Sequence, residues 1–575
     1  MLIDDSRNAP LEREGDGYFS AELAGVRAGS RYWYLLDDDG PFPDPASRFQ
    51  PDGPHQASEV IDPDAYDWSD GGWRGVRLPG QVIYEMHVAT FTREGSWRAA
   101  ATELIRLKDL GVTVIELMPV AEFAGRFGWG YDGVDLFAPT HLYGRPDELR
   151  SFVDRAHALG MGVILDVVYN HLGPDGNYLH EFADAYFTDR YKCEWGAAIN
   201  FDGPDARPVR EFFISNASYW IREYHLDGLR LDATQQMFDA SHHHILADIT
   251  TAVRTAAGER GTIVVAESEK QDTRLLHAYE DGGFGIDAVW NDDLHHSVRV
   301  AATGRREAYF SNHNGAPQEF ISAAKYGYLY QGQYYSWQKE RRGASAAGIA
   351  RHRFITYIQN HDQIANSGTG ARLHQLTSEG RWRALTALQL LMPGTPMLFQ
   401  GQEFAASTPF LYFADHKPEL AKAVKRGRFG FLEQFPSLAS PDVQATLADP
   451  ADPATFERCK LDAREREQNI AAWQLHSDLI ALRKEARLDD EEWRVDGAVI
   501  APSAFVIRYD NEHGEAMLLL VNLGADVRLQ SMPEPLLAEP RGRSWTVLFC
   551  SESIRYGASA PGNIDISEAW YIPAE

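Results

Sequence analysis

The sequence predicts a multidomain α/β protein centred on a TIM (β/α)8 barrel, with an N-terminal β-sandwich-like domain and a C-terminal β-sandwich. Between Val82 and Gln400, eight strand-like runs alternate with helical stretches, the number such a barrel requires. Four of these runs end in polar groups: Val163 to His171 with Asp166, Gly228 to Asp232, Ile263 to Glu267, and Phe354 to Asp362. A barrel carries its chemistry at the C-terminal rim of its strands, where these groups would gather. The length of 575 residues, at roughly 150 per domain, leaves room for flanking domains.

Residues 1–75 are rich in aromatic, Gly and Pro residues and read as a small β-domain of a short Ig-like kind. Arg31 to Leu36 is its clearest strand, closed by a turn at Asp37 to Gly40. There are few strands for a complete sandwich, so the domain is expected to borrow packing from its neighbour. The barrel domain is expected over 76–490. Its strands begin at Val82, Val112, Val163, Gly228, Ile263, Ile286, Phe354 and Pro396. Helices are expected over Ala101–Leu110, Asp147–Leu159 and Arg381–Leu391. A Gly-, Asp- and aromatic-rich stretch at 172–208 reads as an excursion over the rim after the third strand. A second insertion, 304–348, carries Tyr326, Tyr328, Tyr330, Tyr334 and Tyr335. Long rim loops in a compact fold are usually functional. Residues 491–575 read as the C-terminal β-domain, with strands Ala504–Tyr509 and Ala516–Asn522 joined through Asn511–Gly514.

The chain carries 83 acidic and 55 basic residues, a net charge of -28 at pH 7. Nucleic acid and anionic membranes demand clustered Lys and Arg, so neither is expected as a partner. Aromatics make up 12%, ample for stacking on a neutral carbohydrate. The three cysteines, Cys193, Cys459 and Cys550, have neither metal-like nor redox spacing. No leader-like or membrane-spanning stretch stands out, and a cytoplasmic location is expected.

Side chains alternate along a strand, so Arg230 and Asp232 share a face. A guanidinium beside Asp232 would keep it ionised as a nucleophile, and Asp166 could hold Arg230 in turn. A general acid must carry its proton near neutrality, which burial favours; Glu267, after Val264-Val265-Ala266, fits. Glu269 is a rival if the strand extends that far. Asp362, beside His361, would steady positive charge in the transition state. Three carboxylates meeting at one rim point to glycosidic bond chemistry.

Asp166 to His171, Gly228 to Asp232, Ala266-Glu267 and Asn360-His361-Asp362 together resemble the four signature regions of the α-amylase superfamily of glycoside hydrolases. The resemblance implies Asp232 as nucleophile, Glu267 as acid/base and Asp362 as transition-state stabiliser. It implies sugar contacts from Arg230, His171 and His361, and from Tyr131 in Gly130-Tyr131-Asp132. It implies retention of configuration, which calls for carboxyl groups of Asp232 and Glu267 about 5–5.5 Å apart. Pro41 to Pro51, Trp290 to His296 and Tyr412 to Leu420 are similar to segments of the malto-oligosyltrehalose trehalohydrolases. That likeness implies hydrolysis of the α-1,4 bond next to a terminal trehalose. It also implies a pathway shared with a synthase that forms this malto-oligosyltrehalose. Asp292, Asp293 and the tyrosine cluster are candidates for the trehalose side. A glucan branching enzyme, another α-glucan hydrolase and a non-catalytic carbohydrate-binding barrel are the alternatives. No cofactor and no metal ligand are assigned; Asn170 leaves calcium open.

Overall fold

The computed structural model describes residues 1–37, 39–489, 491–529, 533–559 and 570–574. Asp38 of the expected turn, Asp490 at the expected barrel boundary, and 530–532, 560–569 and 575 of the C-terminal domain lie outside the described residues.

Eight parallel strands close into a barrel. In chain order they are β1 (Ile83–Met86), β2 (Val114–Leu117), β3 (Gly162–Val167), β4 (Gly228–Leu231), β5 (Ile263–Ala266), β6 (Ala288–Trp290), β7 (Phe354–Thr356) and β8 (Thr395–Phe399). Each pairs with its sequence neighbour, and β8 closes on β1. Ile83, Val114, Ile164, Val265 and Met397 fill the interior, with Val76 and Leu78 of the incoming linker beneath them. The second apolar face of the strands packs on the surrounding helices, which is why these strands read as continuous apolar runs.

The helix Trp97–Leu110 shows how local sequence sets the outer layer. The Ser96 side chain caps its first turn, and Trp97, Ala100, Leu104, Leu107 and Leu110 form the buried stripe. Gly111 ends it at φ 106°, and a Cβ there would lie 2.6 Å from Ile480 Cγ2. Other helices include Pro146–Ala158, Ala206–Glu223, Ile245–Ala257, Glu379–Leu391 and Ile470–Ala486. Between β5 and β6 the chain has only short 3-10 turns.

The flanking parts are built mostly of short strands. Near the N-terminus one five-stranded antiparallel sheet forms around Arg31–Leu36, beside a small ribbon of Glu12–Arg13 and Phe19–Ser20. Only Arg31–Leu36 there exceeds four residues, too little strand for a second sheet. Its rings pack on the excursion instead: Tyr34 lies 5.8 Å from Phe182, and Phe42 5.9 Å from Tyr178. The excursion holds a hairpin of Phe187–Cys193 and Gly196–Ile199. The later insertion holds the helix Pro317–Tyr326 and a hairpin of Gln333–Tyr335 and Glu340–Arg342. The C-terminal domain shows a three-stranded meander, Arg494–Ala501, Ala504–Asp510 and Ala516–Asn522, and a ladder of Val527–Leu529 with Trp570–Ile572. Among the described residues no helix is long and apolar enough to cross a membrane.

Candidate active site

Strand β4 approaches β5 so closely that a Cβ on Gly228 would lie 1.7 Å from the Ile263 carbonyl oxygen. Two residues on, Arg230 is fully buried in register with Asp166 of β3. Its Nη1 donates to both Asp166 oxygens, at 3.0 and 2.9 Å, and to Asp232 Oδ1 at 2.7 Å. Its Nη2 lies 2.9 Å from Glu267 Oε2, and the guanidinium covers the Trp290 ring at 4.1 Å. One cation thus meets three carboxylates in a buried place, so the cluster keeps a proton near neutrality.

Burial pushes Glu267 up to about 8, against the pull of Arg230 and with further push from Asp232, Asp362 and Asp292. Burial also raises Asp166, to about 7, again against Arg230. Asp166 is the better anion because it receives both Arg230 contacts and the Tyr131 hydroxyl at 2.6 Å. Glu267 therefore loses its proton after Asp166. Both Asp232 oxygens are engaged: Oδ1 by Arg230, and Oδ2 by Asn170 Nδ2 at 2.8 Å. Ala233 follows at φ 41°, a left-handed conformation costing about 1–2 kcal/mol. That turn aims the Ala233 amide at Glu267 Oε2, 3.0 Å away.

The last expected strand end differs. β7 stops at Thr356, and Asp362 stands on the first turn of a short helix, His361–Ala365. The Asn360 side chain caps that helix through the Gln363 amide at 2.8 Å, which ends the extended run. Asp362 keeps 43% of its side chain exposed, whereas His361 is buried. Tyr131 stacks on His361 with ring centroids 5.3 Å apart. His171 is kept neutral by burial, and the Trp195 ring of the excursion hairpin lies 5.5 Å away, 47% exposed at the rim.

Asp292 and Asp293 separate. They open the helix Asp292–Thr303, where successive side chains point in different directions, so both cannot face the cleft. Asp292 accepts from the Tyr357 hydroxyl, and its charge acts on Glu267. Asp293, expected on the trehalose side, is instead buried, accepting from the Leu329 and Tyr330 amides at 2.8 and 2.9 Å. Burial would raise its pKa, but Arg342, His313 and the Tyr330 amide hold it low. It fixes the insertion loop rather than facing a ligand. Of the tyrosine cluster, Tyr328 and Tyr335 are likewise buried, while Tyr326 and Tyr334 are exposed.

Asp293, His296 and His313 also form the one group among the described residues that could hold a metal, with ligand atoms within 4.8 Å of one another. Arg342 Nη1 lies 3.6 Å from Asp293 Oδ1 and supplies positive charge there. Glu269 lies beyond the end of β5 at Ala266, so the strand does not carry it onto the face of Glu267.

The sequence reading missed Glu85, Asn170's hold on Asp232, Trp195 and Trp290. A carboxylate inside the apolar run Tyr84-Glu85-Met86 was the available signal for Glu85. Nothing in the sequence alone brings Trp195 to His171.

Residues 61–195 match the family model "Alpha amylase, catalytic domain", and residues 492–562 match "Domain of unknown function (DUF3459)". The malto-oligosyltrehalose trehalohydrolase of Deinococcus radiodurans is 40% identical over 560 residues, covering 94% of this chain and 90% of that protein. The protein of the same description from Saccharolobus solfataricus is 41% identical over 476 residues, covering 83% and 81%. The crystal structure of a putative alpha amylase from Salmonella typhimurium superposes with a TM-score of 0.84 at 38% identity, covering 91% of this chain and 89% of that one.

Proposed function

The chain belongs to the malto-oligosyltrehalose trehalohydrolase family, and from that premise we propose that it hydrolyses the α-1,4 bond next to the terminal trehalose of a malto-oligosyltrehalose. Trehalose and a shortened malto-oligosaccharide are the products. The observation that carries the chemistry is the shared guanidinium: Arg230 holds Asp232 through Nη1 and Glu267 through Nη2.

In this reading Glu267 arrives protonated and gives its proton to the glycosidic oxygen. The C1–O bond breaks, trehalose leaves with a new hydroxyl, and Asp232 bonds to C1. A water then attacks C1 while Glu267 takes its proton, and Asp232 is released. Two inversions give net retention. Asp362, more exposed than its neighbours, faces the developing positive ring. Arg230 holds Asp232 Oδ1 in place, and Tyr131, His171 and His361 surround the sugar at the cleavage point. Asp292, Tyr326, Tyr330 and Tyr334 are the remaining candidates toward the trehalose side.

A malto-oligosyltrehalose has to be made by a reaction that turns the reducing end of a malto-oligosaccharide into a 1,1-linked disaccharide. We therefore place the enzyme after such a synthase in trehalose biosynthesis. The cytoplasm is the proposed compartment, on the cysteine usage.

Incubation with malto-oligosyltrehalose and, separately, with amylose tests the substrate. Free trehalose from the first is expected. No trehalose, with new 1,6 branches in the amylose, would overturn the reading in favour of a branching enzyme. Trp195 supplies a finer test. As a half-exposed ring beside His171 it offers a stacking platform. Trp195→Ala is expected to raise KM by up to about fivefold, the ~1 kcal/mol scale of one ring contact, with a smaller change in kcat. Steady-state kinetics on malto-oligosyltrehalose measures the split.

A further inference from the structure

We propose that Glu85 is a positioning residue that holds His361 as a cation and thereby sets the direction of a hydrogen-bond chain across the floor of the site. This deepens the hydrolase reading and rests on it. Glu85 comes from β1, on the far side of the barrel from β4 and β5. Its Oε1 lies 2.5 Å from His361 Nδ1, and its Oε2 accepts from the His361 backbone N–H at 3.3 Å. Both residues are buried, so this contact is shielded from water.

The chain continues on the other side of the ring. His361 Nε2 is 3.0 Å from the Tyr131 hydroxyl, which lies 2.6 Å from Asp166 Oδ2. Asp166 in turn holds Arg230, and Arg230 holds Asp232 and Glu267. An imidazolium has a proton on both nitrogens and can only donate. Tyr131 then accepts from Nε2–H, and its own proton can go only to Asp166. A neutral ring with its proton on Nδ1 would make Nε2 an acceptor. Tyr131 could then turn its proton to the histidine and leave Asp166 short of a donor. Glu85 thus acts on the nucleophile and the acid from four groups away.

The titratable and charged groups around the ring are Glu85 and His87 from β1 and its end, Glu116 from β2, Tyr131 from the loop after β2, Asp166 from β3, Arg230 from β4, and Asp362 beside it. Burial alone would lower His361; Glu85 first, then Asp362, raise it to about 9. Glu116 is paired in register with Glu85 but cannot replace it. Both its oxygens lack hydrogen-bond partners among the described residues, and burial pushes its pKa well up, so it is neutral.

The test is a double-mutant cycle read with pH profiles of kcat/KM for trehalose release. In the native protein the alkaline limb follows Glu267, near 8. Glu85→Gln removes the charge and nearly preserves the shape. His361 then titrates below Glu267, and the limb is expected to move down by about one unit or more, with at least a tenfold loss at pH 8. In a His361→Gln background the same substitution is expected to change kcat/KM less than about twofold, since its effect runs through the ring. Glu85→Asp keeps the charge and is expected to keep the limb in place; it also decides the matter if the Gln variant does not fold. An unmoved limb in Glu85→Gln, an equal loss in both backgrounds, or a limb moved by Glu85→Asp would each overturn the proposal. Failure of the hydrolase reading would appear differently, as no trehalose released by the native protein.

Discussion

Glu267→Gln is expected to lower kcat for trehalose release by roughly 10²–10⁴-fold, the usual worth of a positioned general acid, while leaving the protein more stable. The loss follows from the proton that Glu267 alone is placed to deliver. The gain follows from linkage. The folded carboxyl titrates near 8, far above the usual carboxylate range, because burial penalises its charged form. Between the unfolded value, about 4.3, and 8 the folded state holds a proton here that the unfolded state has released, so stability at this site falls as pH rises. Glutamine has no such dependence. The variant's melting temperature should therefore approach that of the native protein at pH 5 and exceed it increasingly toward pH 8. Thermal melts at the two pH values, beside the activity assay, check both halves. A variant that stays active would sink the acid assignment.

Arg230→Met should have the largest effect on folding. The arginine is fully buried and is the cation shared by Asp166, Asp232 and Glu267. Methionine fills a similar volume but leaves those carboxyls without their shared cation. Breaking a buried ion pair from one side typically costs about 3–5 kcal/mol. Losing Arg230 removes the group that opposes the burial-driven rise in the pKa values of Asp166 and Glu267, so both move higher still. The cost should shrink toward pH 5, where folded Asp166 and Glu267 hold their protons in native protein and variant alike. Urea unfolding at pH 5 and pH 7.5 measures it; an equal cost at both would mean the arginine contributes packing rather than charge.

What the sequence made legible was whatever one strand carries by itself. Arg230 and Asp232 share a face because they are two residues apart, and the barrel register then brings Asp166 beside Arg230. The apolar run before Glu267 announced both a buried strand and a proton-holding carboxyl. Eight runs sufficed for the barrel because each strand is buried on both faces. Legibility ended where the chain leaves its strand. Asp362 sits on a helix because Asn360 caps it, a choice made by one side chain against an apolar run that continues through Ile358. Asp292 and Asp293 read alike as adjacent acids, and only the helix they open turns one toward the cleft and the other into the loop of Leu329 and Tyr330. Glu85 was hidden for the opposite reason. It is one carboxylate in a buried strand, and its partner is 276 positions away.

Proton NMR of the first minutes of reaction on malto-oligosyltrehalose tests the central claim, that Asp232 and Glu267 act as the close pair of a retaining trehalose-releasing hydrolase. The two anomers of the freed malto-oligosaccharide give separate signals before mutarotation mixes them. The account predicts trehalose appearing in equal amount with a new reducing end in the α configuration. A reducing end born as the β anomer would contradict it, because a single inversion needs carboxyl groups about 6.5–9.5 Å apart, with a water between them and no bond to Asp232.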